Sequence, residues 1–159
     1  MEFASLITEF GAHYGMEDLR PDENDAVQFV ADGRGISIQK FPEAETIIAA
    51  IELCAAAEAG AAMVCRLLMK ANQTLFALDG MALVLNDETS RYILMSRFDA
   101  VQLDFAGFDG KIARLLDRAD QWNEFLERFL PIAAEAETKG AAAVAIPPNL
   151  AWPTDMVRV

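Results

Sequence analysis

Phe3, Leu6, Ile7, Phe10 and Tyr14 fall at i, i+3, i+4, i+7 and i+11, the spacing of one face of an amphipathic helix. Gly15 is placed to end that helix with a left-handed residue. Pro21 and the polar residues of LRPDEND then predict a loop. From Val27 the period drops to two. Val27, Phe29 and Ala31 alternate with Gln28, Val30 and Asp32. Beyond the turn signal Asp32-Gly33-Arg34-Gly35, Ile36 and Ile38 alternate with Ser37 and Gln39, so VQFVADGRGISIQKF predicts a hairpin. TIIAAIELC is β-branched at its start and reads as a third strand, although its alanines leave a helix open.

A second helix is predicted over AAAEAGAAMVCRLLMKANQTLF, and it carries two apolar stripes. Val64, Leu67, Leu68, Ala71 and Leu75 form one; Cys65, Met69, Asn72 and Phe76 form another beside it, leaving Arg66, Lys70 and Gln73 as a narrow polar strip. An ordinary surface helix needs one apolar face. A helix with nearly two needs cover on both sides, and a second copy of the chain is the simplest supplier. GMALVLND and RYILMSRF predict two further strands, apolar on each face, around the loop NDETS. Phe105, Phe108, Ile112, Leu115, Ala119, Trp122, Leu126 and Phe129 then step by three and four through a long last helix. Asp104 or Asp109 would cap it, with Gly107 and Gly110 favouring the later start, and Pro131 would end it. The order α-β-β-β-α-β-β-α predicts an α+β domain, a five-stranded, mainly antiparallel sheet with three helices packed to one side. Residues 1–137 read as one domain and 138–159, with Pro147, Pro148 and Pro153, as a Pro/Ala-rich tail.

Composition then narrows the function. Hydrophobic residues make up 53% of the chain, yet 25 Asp and Glu stand against 13 Lys and Arg, a formal charge of −12 at pH 7. Nucleic acid and anionic membranes are bound through clustered Lys and Arg, so neither is an expected partner. No stretch is apolar for long enough to span a bilayer, and MEFASLITEF lacks the basic start of a signal peptide. Cys54 and Cys65 have neither metal-ligand nor redox spacing and read as small buried hydrophobes of a cytoplasmic protein. The single histidine, His13, lies off the first stripe as a surface residue, so a His-based triad or polyhistidine metal site has no members. Asp99, Asp104 and Asp109 lack the alternate-residue spacing of a calcium loop. No G-x-G-x-x-G or Walker sequence is present, and Glu43 and Glu45 read as an acidic loop. No catalytic residue, cofactor or metal is therefore expected.

LLMKANQTLF, the turn at Gly80, MALVLNDETSRYILMSRF and VQLDFAGFDGKIARLLDRADQWNEFL together resemble the class I chaperones of bacterial type III secretion, the Tir-chaperone group. Leu68, Ala71, Asn72, Leu75 and Phe76 match the family's Leu-Leu-x-x-Asn-x-x-Phe-like helix end. Gly80, Leu83 and Leu85 match its glycine-started strand, and Glu88, Thr89, Arg91 and Leu94 its acidic-Thr-x-Arg turn and second strand. Leu103 and Asp104 open a last helix whose Phe108, Leu115, Ala119, Asp120 and Trp122 match in turn. The likeness covers residues 60–128 well and the first helix and hairpin in outline. It departs in RFDAVQL, where the family has a Pro-Leu pair, in the alanine-rich start of the second helix, and in the long tail.

The resemblance implies a cytoplasmic homodimer that holds the N-terminal segment of a secreted effector extended and non-globular for export, without ATP or metal of its own. The secretion-associated ATPase is a further partner that the resemblance admits. Combined with the stripes, it assigns Val64, Leu68, Met69 and Asn72 to the dimer interface. Phe3, Leu6, Ile7 and Phe10, with Phe29 and Ile38 from the hairpin, would floor the effector groove, against the plainer alternative that the first-helix stripe is core. For the last helix the core reading prevails at Phe108, Leu115 and Trp122. Two other functions stay open from the residues alone: a protein-binding or regulatory domain of the same fold without a role in secretion, and an enzyme whose site the sequence hides.

Overall fold

The first helical stripe becomes α1, Phe3–His13, and the alternating stretch after it becomes β1, Ala26–Ala31, and β2, Arg34–Phe41. In this computed structural model, which describes residues 2–101 and 103–140, β1 and β2 pair antiparallel, with Val27 opposite Ile38 and Phe29 opposite Ile36. Asp32 and Gly33 turn between them at φ of 52° and 76°. Two positive values in succession are what a two-residue type I′ turn needs, which is why aspartate and glycine stand there.

A 3₁₀ turn, Pro42–Ala44, leads into β3, Thr46–Ala55. TIIAAIELC is thus a strand. β2 pairs along it from Phe41 opposite Thr46 to Ile36 opposite Ile51, and that ladder overrides the weak local preference of its alanines. Then follow α2, Ala61–Asp79, β4, Met81–Asn86, β5, Arg91–Asp99, and α3, Phe105–Thr138. The sheet runs in the order β1-β2-β3-β5-β4. With three helices, this is the α+β arrangement that the patterning predicts. The chain divides into two compact units, cut after Ile51 in β3, before Met95 in β5 and after Leu116 in α3.

In the first unit, Phe3, Leu6, Ile7 and Phe10 of α1 are buried with Val27, Ile36, Ile38, Ile47 and Ile51 of the strands and Phe108, Ile112 and Leu115 of α3. Phe10 meets Phe108 edge-on at 5.4 Å and Phe29 at 6.2 Å between ring centroids. Tyr14, just past α1, donates a 2.7 Å hydrogen bond to Asp109 Oδ1. His13 is exposed and lies against Tyr14 and Phe105.

In the second unit, the inner stripe of α2, Val64, Leu67, Leu68, Ala71 and Leu75, is buried with Leu53, Leu83, Tyr92, Leu94, Trp122, Leu126 and Phe129. α2 begins only at Ala61, so the alanines before Gly60 are not helical. Gly60 has φ +79°, and a Cβ there would lie 2.7 Å from the backbone carbon of Ala133. Its N–H donates to a Glu137 carboxylate oxygen at 2.6 Å, placing an anion where the α2 dipole is positive.

That contact also explains why α3 does not stop at Pro131 but continues to Thr138. The proline removes one helical hydrogen bond. The turns beyond it are held instead by buried Ala133 and Ala136 and by the Glu137 bond. At its other end α3 starts at Phe105, not near Asp109, because Asp104 Oδ1 accepts from the Gly107 N–H at 2.8 Å as an N-cap. The expected tail lies outside the described residues from 141 onward.

Candidate functional site

The side chains assigned to an effector groove are placed mostly inside the first unit. Phe3, Leu6, Ile7, Phe10 and Ile38 are buried, and Phe29 is half-buried on the same face as Val27. The stripe on α1 is the cover of its own sheet. An amphipathic stripe has the same spacing whichever surface covers it, so periodicity could not separate the two roles.

The dimer-interface assignment divides. Val64 and Leu68 are 0% and 6% exposed in the protomer, whereas Met69 is 75% exposed and Phe76, on the same outer stripe, 72%. Phe76 was missed as a surface candidate, although its spacing from Cys65 and Met69 marks it. Cys65 is exposed and not a buried hydrophobe. Cys54 is half-buried, and desolvation first, then the Glu127 carboxylate, push its thiol up to about 11.

Asn72 lies on the outer stripe too, but its amide is committed to β4. Its Oδ1 accepts from the Leu83 N–H at 2.7 Å, and its Nδ2 donates to the Leu83 carbonyl at 2.9 Å. β4 is an outer strand of the sheet, so the side chain satisfies backbone groups that the edge would otherwise expose.

The other outer strand is β1. The Lys40 N–H donates to the Asp25 carbonyl at 2.9 Å. In the observed register the hydrogen-bonded pairs are then Val27–Ile38, Phe29–Ile36 and Ala31–Arg34. Ala26, Gln28 and Val30 turn their N–H and C=O away from β2. Ala26 is occupied: Asp22 Oδ1 accepts its N–H at 3.0 Å, and its carbonyl accepts from the Asp22 N–H at 2.8 Å. Gln28 and Val30 have no such partner among the described residues, and the Val30 side chain is 72% exposed.

Other polar features are structural. Arg118 lies 3.5 Å from Asp79, whose side chain is 3% exposed at the C-terminal end of α2. Arg97 donates to Thr46 Oγ1 at 3.2 Å beside a small recess lined by Glu45 and Asp99. Among the described residues no three His, Cys, Asp or Glu side chains are grouped to hold a metal ion, and no helix is long and apolar enough to cross a membrane. The geometry offers surfaces: an outward apolar stripe and an open strand edge.

A sequence model of the Tir chaperone protein (CesT) family matches residues 5–123. The fold is similar to a chain of the ExsC–ExsE complex, with TM-score 0.68 and 24% identity over 82% of this chain and 97% of that one. It is also similar to a chain of the HopA1–SchA chaperone–effector complex, with TM-score 0.64, 16% identity and coverage of 76% and 91%. A third structure, the Yersinia pestis type III secretion chaperone SycH with a stable fragment of YscM2, matches at TM-score 0.55 and 20% identity, over 74% and 97%. Comparison with curated proteins gives no match.

Proposed function

The chain belongs to the Tir chaperone protein (CesT) family, and from that premise we propose that it binds the N-terminal segment of a type III secreted effector and keeps it extended for export. The observation that carries this reading is the open outer edge of β1. Two successive outward residues, Gln28 and Val30, offer backbone groups that none of the described residues takes, and an extended client segment can bond to such an edge whatever its sequence. Holding a client through its main chain requires it to be a strand, not a folded domain. The complexes formed by the similar structures, one named chaperone–effector and one named a type III secretion chaperone with a partner fragment, support the same reading.

The working form is a homodimer in the cytoplasm, joined through the outer stripe of α2 with Met69 and Phe76 at its centre. Two apolar side chains of this size, each more than two-thirds exposed, are costly to leave in water and are used twice by a two-fold seam. The chaperone contributes binding and no catalysis.

The test begins with purification from the native bacterium and mass spectrometry of what accompanies the chain. The N-terminal fragment of the protein so identified is then titrated against the purified chain by calorimetry, and circular dichroism and proteolysis report the fragment's state when bound. A tight complex whose fragment lacks a protease-resistant globular core is expected. Binding confined to fully folded partners would overturn the export role and favour a regulatory domain of the same fold.

A further inference from the structure

We propose that residues 141–159 of each chain lie across the outer α2 stripe of the partner copy and complete the dimer interface that Met69 and Phe76 begin. The inference rests on the reading that this stripe joins two copies, and it names the segment that finishes the seam.

The stripe by itself is narrow. Cys65, Met69 and Phe76 share one face of α2, and the exposed Arg66, Lys70 and Gln73 run beside them. Met69 and Phe76 are 75% and 72% exposed. Two side chains of this size and exposure offer roughly 300 Å², whereas a stable specific interface takes about 800 Å² from each partner. Asn72, between them, adds nothing apolar, because its amide is committed to Leu83. The greater part of the surface has to come from beyond the stripe.

The described chain ends where that stripe starts. The Gly60 N–H, at the head of α2, donates to the Glu137 carboxylate, and a Cβ on Gly60 would strike Ala133. α3 ends at Thr138, and the Gly140 N–H donates to the Glu137 carbonyl at 2.9 Å with φ of 70°, a left-handed close from which the chain leaves the helix. Residue 141 therefore begins beside the first turn of α2, in the same compact unit. α2 has 19 residues, about 28 Å of helix. Residues 141–159 reach roughly 60 Å when extended, enough to cross the seam and follow the partner's helix.

The segment also has the chemistry of an interface. The chain carries a formal −12, yet residues 141–159 hold only Asp155 and Arg158 as charged side chains. Those two cancel, so the segment meets an acidic partner without repulsion. Ile146, Leu150 and Trp152 supply apolar area, while Pro147, Pro148 and Pro153 restrict the free segment and lessen the entropy lost on docking. The segment lies past residue 123, where the match to the family model ends. On its own stripe it would compete with the second copy for Met69 and Phe76; on the partner it adds to the seam.

Photo-crosslinking of the full chain tests this. Trp152→p-benzoylphenylalanine puts the cross-linker on the segment, and light and heavy-nitrogen chains are mixed, left to exchange subunits and irradiated. Mass spectrometry should find residue 152 joined to peptides of Ala61–Asp79, with light and heavy chains combined in the same cross-link. Cross-links confined to one isotope would place the segment on its own chain, and cross-links that avoid α2 would place it elsewhere; either result overturns the proposal.

Trp152→Asp should raise the dimer dissociation constant at least about a hundredfold, since each dimer loses two buried aromatic side chains. Urea unfolding of the protomer should not change. An unchanged or lowered dissociation constant would overturn the proposal. Phe76→Asp distinguishes its failure from failure of the seam. A dimer broken by Phe76→Asp but not by Trp152→Asp would keep the seam and remove the segment from it. A dimer indifferent to Phe76→Asp would remove the seam itself.

Discussion

Phe76→Asp separates the two stripes of α2. Phe76 is 72% exposed and Met69 75%, whereas Leu68 is 6% exposed in the same helix. Burying a large apolar side chain contributes about 1.5–3 kcal/mol, so in the proposed two-fold seam Met69 and Phe76, each used twice, would supply roughly 6–12 kcal/mol. Association costs roughly 4–15 kcal/mol in lost rigid-body freedom, so the seam has little to spare. Replacing both copies of Phe76 removes about 3–6 kcal/mol and adds two carboxylates close to the axis. The dimer dissociation constant should rise by a factor of roughly 10² to 10⁴. Sedimentation equilibrium over a range of concentrations measures it, with urea unfolding as the control for the protomer. Leu68→Ala should behave oppositely, with stability falling by about 2–5 kcal/mol as a core cavity opens and association changing only through unfolding. A Phe76→Asp chain that dimerises as tightly as the parent would remove the outer stripe from the interface.

Gly60→Ala should cost about 2–5 kcal/mol, from a left-handed alanine plus the collision with Ala133, while Gly33→Ala, at a similar positive φ but with nothing within 4 Å, should cost about 1–2 kcal/mol. Equal urea midpoints for the two variants would contradict the packing of Gly60 on α3. Cys65 should react quickly with a thiol reagent in the Phe76→Asp monomer and slowly in the parent dimer, with Cys54, its thiol pushed up to about 11, slow in both; fast Cys65 labelling in a dimer would move the seam elsewhere. The bond from Tyr14 to Asp109 raises the phenol's pKa above 10, burial adding to it. The stability it contributes is whole below pH 10 and lost as pH rises through the raised value. Tyr14→Phe should therefore cost at most about 1 kcal/mol near neutrality and unfold with less dependence on alkaline pH, a difference that matched urea titrations would reveal.

Local chemistry carried the sequence reading as far as local chemistry reaches. The stripe from Phe3 to Tyr14 and the Asp32-Gly33 turn are each decided within one or two turns of chain, and α1 and the hairpin follow from them; the start of α3 did not, because Gly107 and Gly110 pointed past Asp104 to Asp109 although the Asp104 cap holds the first turn. The double stripe on α2 was equally visible. Which stripe faces inward was not, because both have helical spacing and only the packing of Val64 and Leu68 against the protomer's own core decides it. Pro131 misled for a related reason. A proline ends a helix unless distant contacts hold the far side, and here those come from Gly60, 77 residues before Glu137. Asn72 was singled out by its place on a helix face, yet its work is done sideways, on Leu83, through an amide geometry that no periodicity encodes.

The acidity and the open edge bear on one another. An exposed strand edge is a template for self-pairing, and proteins usually blunt it with charge. Two β1 edges meeting would bring Asp22, Glu23, Asp25 and Asp32 of one chain against the same residues of another, within a chain of formal charge −12. Like charges placed opposite one another disfavour that pair, while a client carrying Lys or Arg meets the same field as attraction, so one set of carboxylates both rejects copies and selects partners. Screening should act on the two in opposite directions. Between about 0.1 M and 1 M salt the Debye length falls from roughly 10 Å to 3 Å. Binding of the blocked basic peptide acetyl-Lys-Val-Lys-Val-Lys-amide should weaken over that range, while association beyond the dimer, followed by light scattering, should grow, and more so in Asp32→Asn. If high salt strengthened peptide binding, or left the chain no more prone to associate, the carboxylates along β1 would not be what keeps its edge for a client.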